Sequence, residues 1–343
     1  MKVFFYSYKS FEAPYLEAAN KQPYETKCTQ ARLSLETAGM ARDYDVVSIF
    51  TGDDASAPVV EALTKNGVRF IAIRASGFDN VDINKAHELG MKVANIPAYS
   101  PHSVAEHTVG MIMALNRKLI TANKQVHDQN FAVDNLVGFD LKGKTVGIIG
   151  TGNIGSVVAR ILNGFGCHLI AYDIRRDEEL ELKYNVRYTD LDNLCSKSDI
   201  ITIHTPLNEN TRYIINKQQL QQMKKGVMLI NTSRGALINT KELIEFIEKG
   251  RVAYFGTDVY EKEQGIFFFD YSGKMLNDEM LKKLMAMPNV LITPHQAFAT
   301  TQALTNIADT TYYNIGCWAR HLCSRYELPK PDLEIVSFLE QEF

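Results

Sequence analysis

Several features that would mark a secreted, membrane-bound or polyanion-binding chain are missing here. The five cysteines (Cys28, Cys167, Cys195, Cys317 and Cys323) are odd in number and scattered, with no CxxC pair. That pattern argues against a disulfide framework and against a zinc site, and it reads as reduced thiols in a cytoplasmic protein. No apolar run approaches the length of about 20 residues that spans a bilayer. Val46-Val47-Ser48-Ile49-Phe50 and Val146-Gly147-Ile148-Ile149 each stop after a few positions. The opening MKVFFYSYKS is too short in its apolar part for a signal peptide and lacks a small-residue cleavage site, so it reads as a first strand. An excess of one charge is also absent: 37 Lys plus Arg stand against 40 Asp plus Glu, a net of −3. Nothing electrostatic therefore points to nucleic acid or to an anionic membrane, and a small polar ligand fits better. There is no repeat of fixed period and no low-complexity tract.

What is present is ample material for folding. Hydrophobic residues make up 45% of 343 and charged residues 22%, a globular balance at a length that suggests roughly two domains. From Val3 to Ala94, β-rich runs (Val3 to Tyr6, Val46 to Phe50, Phe70 to Ile73, Met91 to Ala94) alternate with helical patterns over 56–66 and 82–89. Such alternation implies a parallel sheet covered on both faces. Pro101 then sits in the first turn of a long apolar helix expected to run to about Ile120, where a missing N–H is harmless. A polar, less regular stretch over 121–143 follows. A second alternation gives strands at Val146 to Ile149, His168 to Tyr172, Ile200 to Ile203, Val227 to Asn231, Val252 to Thr257 and Val290 to Thr293, the count of a six-stranded doubly wound sheet. A last helical pattern covers 300–322, before a polar tail.

The strongest local signal is KTVGIIGTGNIGSVVARIL. A strand runs into Gly150-Thr151-Gly152-Asn153-Ile154-Gly155, and a helix follows at once. Gly150 permits the tight turn, Gly152 lets the backbone approach a pyrophosphate, and Gly155 lets the helix pack on the strand. The helix start at Asn153 and Ile154 offers N–H groups to the anion. The next strand ends in Asp173, close to the spacing of about 20 residues expected of a carboxylate that accepts from the adenosine ribose hydroxyls. An acid there repels a 2′-phosphate and selects NAD, with Arg175 and Arg176 leaving some tolerance for NADP. His102 and His107 are five apart, so they do not stack on one helical face as a metal pair at i, i+4 would; no metal is assigned.

Three further segments lie at predicted strand ends, where ligand-binding residues gather in an open α/β sheet: Asn231 to Gly235, Asp258 to Glu263, and Thr293 to Phe298. With RASGFDNVD (Arg74 to Asp82), PAYSPHSVAEH (Pro97 to His107), HTPL (His204 to Leu207), NTSRGALI, DVYE and TPHQAF in this order, nearly the whole chain resembles the D-2-hydroxyacid dehydrogenases, and among them the fermentative D-lactate dehydrogenases.

The resemblance implies a Rossmann dinucleotide domain over 100–299, inserted in a flavodoxin-like substrate domain made of 1–99 and 300–343. The active site would lie between the domains, with hinges near Tyr99 and Phe298. It implies NAD-dependent interconversion of pyruvate and D-lactate through Arg234, Glu263 and His295. Arg234 would bind the substrate carboxylate and polarise the keto oxygen with its planar fork. His295 would donate the proton as imidazolium and take it back in oxidation, its ordinary pKa of about 6.5 lying close to working pH. Glu263 would orient that ring and, as a neighbouring anion, favour its charged form. Local chemistry does not separate Glu263 from Glu261; the family register does.

By the same resemblance, Ser76, Gly77 and Phe78 form the loop whose backbone N–H groups take the other side of the carboxylate. Tyr99 turns its hydroxyl to the substrate, and Phe298 walls in a small side chain such as methyl. Thr205, Pro206 and Asn210 border the adenine and ribose; Thr232, Ser233, Arg234 and Asp258 border the nicotinamide. A homodimer or homotetramer through the dinucleotide domain is implied, for which the apolar face of the helix from His102 to Ile120 is available. A D-2-hydroxyisocaproate or phenyllactate dehydrogenase, taking a larger acid, is the nearest alternative. An NAD-sensing corepressor on the same scaffold is a more distant one.

Overall fold

A computed structural model describes residues 1–22 and 24–330. The chain divides into two compact units, Met1–Ser100 with the return that starts at Ala299, and Pro101–Phe298. The end of the return, with the polar tail, lies outside the described residues.

The first unit holds five parallel strands, β1 Lys2–Phe5, β2 Glu25–Cys28, β3 Val46–Ile49, β4 Phe70–Ile73 and β5 Lys92–Ala94, in the order β2-β1-β3-β4-β5. This is the flavodoxin-like order. The period of two along each strand sends Phe4, Val47, Ile49, Ile71 and Ile73 into one core layer and Val3, Phe5, Val46 and Ala72 into the other. The returning helix Thr301–Ala319 covers that second layer with Ala308, Ile315 and Trp318. The Trp318 ring stacks on Phe70 at 4.8 Å, and its indole N–H donates to Glu327 at 2.8 Å.

Strand β2 was not expected. Its four residues are all exposed, the composition of a polar edge strand that lacks the apolar signal. The helix Ile83–Glu88 begins as expected at Asp82, whose carboxylate accepts from the Lys85 N–H at 2.8 Å. By contrast Ser56 makes no side-chain cap on the helix Ala57–Lys65, where Pro58 already removes one orphan donor.

At the C-terminal end of β4, Arg74 is wholly buried. Its guanidinium binds both Glu12 oxygens at 2.9 and 3.1 Å and also donates to the Tyr6 carbonyl at 2.8 Å and the Ser48 hydroxyl at 3.1 Å. A buried cation stands only when its donors are matched in this way. The pair fixes the strand end from which Ser76 and Gly77 depart.

The second unit holds seven strands rather than six: β6 Thr145–Ile149, β7 His168–Tyr172, β8 Arg187–Tyr188, β9 Ile200–Ile203, β10 Val227–Asn231, β11 Val252–Thr257 and β12 Val290–Ile292. They run parallel in the order β12-β11-β10-β9-β6-β7-β8. The added strand β8 is two residues long and lies at the edge, too short for a periodicity to reveal. One face carries Ile149, Ile203, Leu229 and Phe255, and the other Val146, Ile148, Met228 and Ile230. The chain order reverses between β9 and β6, the switch point at which doubly wound sheets bind ligands.

The helix expected to reach Ile120 ends at Asn116. There the Asn116 side chain takes the Phe139 N–H at 2.9 Å and donates to its carbonyl at 2.7 Å. Lys118 turns left-handed (φ 49°), and a second helix, Leu119–His127, occupies part of the stretch read as irregular. The apolar face of Pro101–Asn116 is buried within its own unit, with Ala105, Val109, Ile112 and Leu115 in the core. The exposed apolar side chains follow it instead: Leu119, Ile120, Val126, Phe131, Val133 and Val137.

Candidate active site

The glycine turn follows β6 directly at the switch point. Gly150 has φ +91°, and a Cβ there would lie 2.8 Å from the His204 carbonyl carbon and the Thr205 nitrogen; a Cβ at Gly155 would lie 1.9 Å from the Gly150 oxygen. The protein's own packing therefore demands both glycines. Gly152 differs, since no heavy atom other than its own and those of its two chain neighbours comes within 4 Å of a Cβ built on it. That open space faces the start of helix Asn153–Gly164, which has no side-chain cap. Free N–H groups beside room for an anion fit a bound pyrophosphate.

Asp173, at the end of the neighbouring strand β7, is already engaged with this turn. One oxygen accepts from the Thr151 N–H at 2.6 Å and from its hydroxyl at 3.1 Å, while the other accepts from the Arg175 N–H at 3.0 Å.

Past β9, Thr205 and Pro206 are tied through their carbonyls, which accept from the Ser233 hydroxyl at 2.7 Å and the Thr211 hydroxyl at 2.6 Å. The Asn210 N–H donates to Asn208 at 2.9 Å. Thr232 turns its hydroxyl to Thr108, 2.8 Å away. The side chains of Ser233 and Thr232 thus brace the loop.

Arg234, Glu263 and His295 follow β10, β11 and β12, three adjacent strands of one sheet. The loop after β10 nests against the next one: a Cβ on Gly235 would lie 2.1 Å from the Tyr260 carbonyl carbon, so only glycine lets these segments touch. The Arg234 guanidinium donates to the Ser233 carbonyl at 3.0 Å, and its own carbonyl accepts from Asn231 at 2.8 Å.

His295 has a left-handed backbone (φ 56°). Its Nδ1 lies 2.8 Å from Glu263 Oε1, and Glu263 Oε2 accepts from the Tyr260 N–H at 2.9 Å. Glu261 points elsewhere, accepting from the Tyr213 hydroxyl and, at 3.4 Å, from the Thr240 N–H. Asp258 is fully buried and clamps the segment after the histidine, accepting from Gln296 N–H at 2.9 Å and Ala297 N–H at 2.8 Å as well as from the Thr293 hydroxyl at 2.5 Å.

Two rings flank the imidazole. Phe298 is buried, edge-on to His295 at 6.5 Å, and Phe268 lies at 5.5 Å. Phe268 was not singled out from the sequence. Its left-handed backbone (φ 67°), uncommon for a bulky residue, turns it out of an aromatic run that reads locally as loop filling.

The proposed carboxylate loop belongs to the first unit. Ser76 donates from its hydroxyl to the Pro97 carbonyl at 3.1 Å and accepts at its own carbonyl from Asn95 at 2.7 Å. Phe78 is exposed, its carbonyl accepting from Val81 N–H at 3.0 Å. Next to Gly77 and Phe78, Asn80 ties the loop down through donations to the Phe50 and Asp53 carbonyls at 3.2 and 2.9 Å. Tyr99 accepts at its carbonyl from Asn306 at 2.6 Å.

A seven-stranded doubly wound sheet with a glycine turn at its switch point, and an imidazole held by a carboxylate at neighbouring strand ends, defines a dinucleotide-dependent oxidoreductase. Residues 109–297 match the family described as D-isomer specific 2-hydroxyacid dehydrogenase, NAD binding domain. The chain is 44% identical to a D-lactate dehydrogenase of Escherichia coli over 317 residues, covering 92% of this chain and 96% of that one. Among solved structures, it resembles the pyruvate reductase of Chlamydomonas reinhardtii (42% identity, TM-score 0.86, 94% and 97% of the two chains). It also resembles the D-lactate dehydrogenase of Aquifex aeolicus complexed with NAD and lactic acid (31% identity, TM-score 0.85, 93% and 96%). This chain belongs to the D-isomer specific 2-hydroxyacid dehydrogenase family, and it is an NAD-dependent enzyme of that family.

Proposed function

We propose that the enzyme reduces pyruvate to D-lactate and catalyses the reverse oxidation, with Arg234, Glu263 and His295 as its catalytic residues. The observation that carries this reading is the bond between His295 Nδ1 and Glu263 Oε1 at 2.8 Å. It leaves Nε2 as the ring nitrogen available to a substrate oxygen. Held by the glycine turn and Asp173, NADH would supply the hydride for reduction. The imidazolium of His295 gives its Nε2 proton to the oxygen, and Glu263 stabilises the charged ring and fixes its plane. Arg234 holds the carboxylate and polarises the carbonyl. The loop of Ser76, Gly77 and Phe78 supplies backbone donors to the same carboxylate, and Tyr99 adds a hydroxyl.

Asp173 takes the adenosine ribose, Gly152, Asn153 and Ile154 the pyrophosphate. Thr205, Pro206 and Asn210 border the adenosine, and Thr232, Ser233 and Asp258 the nicotinamide. The rings of Phe298 and Phe268 beside His295 favour a methyl group over a branched or aromatic one, and the lactate and pyruvate named for the relatives agree with a small acid. Regeneration of NAD in fermentation, in the reducing cytoplasm that the five free thiols suit, follows from the same reading. Exposed apolar side chains from Leu119 to Val137 support a homo-oligomer.

NADH oxidation against pyruvate, 2-ketoisocaproate and phenylpyruvate tests the substrate, with the product's chirality determined. The highest kcat/KM should fall on pyruvate and the product should be D-lactate; a preference for either larger acid replaces this reading with the corresponding dehydrogenase.

A further inference from the structure

The edge strand β8 carries Tyr188, whose hydroxyl reaches back across the sheet edge to the glycine turn. It donates to Thr151 Oγ1 at 2.9 Å and accepts from the Asp177 N–H at 3.0 Å. Thr151 Oγ1 in turn lies 3.1 Å from Asp173 Oδ2, which also takes the Thr151 N–H at 2.6 Å. Each hydroxyl has one hydrogen. The Asp177 N–H occupies the tyrosine oxygen as an acceptor, so the tyrosine proton points to Thr151 and the threonine proton points to Asp173. The result is a one-way chain that ends on a carboxylate, in which each bond polarises the next.

Thr151 is buried and Tyr188 half-buried, so this chain is sheltered from competing water. It fixes one oxygen of Asp173 against the turn. With Arg175 N–H on the other oxygen, the carboxylate has a single orientation before any nucleotide arrives.

We propose that Tyr188 is a positioning residue for Asp173, and through it a determinant of the preference for NADH over NADPH. The inference rests on the reading of Asp173 as the ribose acceptor. A carboxylate held in one rotamer accepts from ribose hydroxyls without first losing rotational freedom. The same fixed anion cannot swing away from a 2′-phosphate, with Arg175 and Arg176 just downstream. Releasing it weakens NADH, whereas for NADPH the loss of ordering is offset by relief of the repulsion, which leaves its affinity little changed.

The test is direct binding of NADH and of NADPH to the full-length enzyme, followed by nucleotide fluorescence without substrate, for wild type, Tyr188→Phe, Thr151→Val, Asp173→Asn and the double variant Tyr188→Phe/Asp173→Asn. Loss of one neutral hydrogen bond in the chain should raise the Kd for NADH about 3- to 10-fold in Tyr188→Phe. Thr151→Val, which keeps the backbone donor, should do the same. The Kd for NADPH should stay within about twofold, so the ratio of the two constants falls. In the Asp173→Asn background the tyrosine change should add almost nothing, because the residue acts through that carboxylate. An unchanged Kd for NADH in Tyr188→Phe, or an equal loss in the Asp173→Asn background, overturns the proposal. An unchanged Kd in Asp173→Asn alone overturns the ribose reading beneath it.

Discussion

The carboxylate of Glu263 is shared between the Nδ1 of His295, at 2.8 Å, and the backbone N–H of Tyr260, at 2.9 Å. Glu261, two residues earlier in a run of alternating charge, is turned to Tyr213 and Thr240. Changing each acid to its amide should separate them. Glu263→Gln sets an amide N–H against one of the two donors that now meet the carboxylate, so the imidazole loses its fixed plane. It should lower kcat by about 10-fold or more with KM little changed, because the ring is positioned for a proton transfer made in the transition state. Glu261→Gln should leave kcat near the wild-type value. Steady-state kinetics of the two variants decide this, and a loss of kcat in Glu261→Gln with none in Glu263→Gln would reverse the assignment.

Removing the imidazole itself should cost more. His295→Ala is expected to lower kcat by about 10² to 10⁴, the usual contribution of a positioned acid or base. NADH binding should be retained, because the glycine turn and Asp173 lie beyond the opposite half of the sheet order from β12. Near-normal turnover with intact NADH binding would remove His295 from the mechanism.

The legible parts of the chain were those with a strong period or a stereochemical demand. The runs Val46 to Ile49 and Val227 to Asn231 are buried at every position, and a short, largely apolar run bounded by turns has few other uses. The glycine turn was legible because Gly150 and Gly155 answer to backbone crowding that no other residue tolerates. Strands β2 and β8 were not, since an exposed edge of four residues and a bridge of two have no apolar face to betray them. The break at Asn116 was hidden because it depends on a side chain meeting Phe139, 23 positions away. Sequence pattern likewise left Glu261 and Glu263 equal, and their three-dimensional partners distinguish them. Phe268 escaped notice because a left-handed phenylalanine cannot be inferred from a run of three phenylalanines.

The exposed apolar side chains that follow the break point to assembly. Phe131, Val133 and Val137 are 73%, 69% and 73% exposed, a concentration uncommon on the surface of a monomer. A second copy of the chain should cover them. Light scattering should give a multiple of the chain mass for the wild type, and Phe131→Asp/Val133→Asp should shift it to the monomer by placing unpaired charges in an apolar interface. A wild-type monomer, or a double variant that stays assembled, would locate any interface elsewhere.

His204 should make the chain's stability sensitive to acid. Its Nε2 lies 2.9 Å from the Thr202 hydroxyl, and its Nδ1 is sealed without a hydrogen-bond partner among the described residues. Burial of the ring pushes its pKa down to about 3, against about 6.5 for an unfolded histidine. Between these values the unfolded chain takes up a proton that the folded chain refuses. The stabilisation is therefore complete above pH 6.5 or so and drains away as pH falls toward 3. The residue as a whole is only half-buried, so the realised loss should be a fraction of what the full shift implies. His204→Gln keeps a polar group near Thr202 and cannot titrate. Urea unfolding at pH 7.5, 6.0 and 4.5 should show the wild type more stable at the highest pH and the gap narrowing or reversing as acid is added. Parallel curves for the two proteins would show that His204 does not carry this dependence.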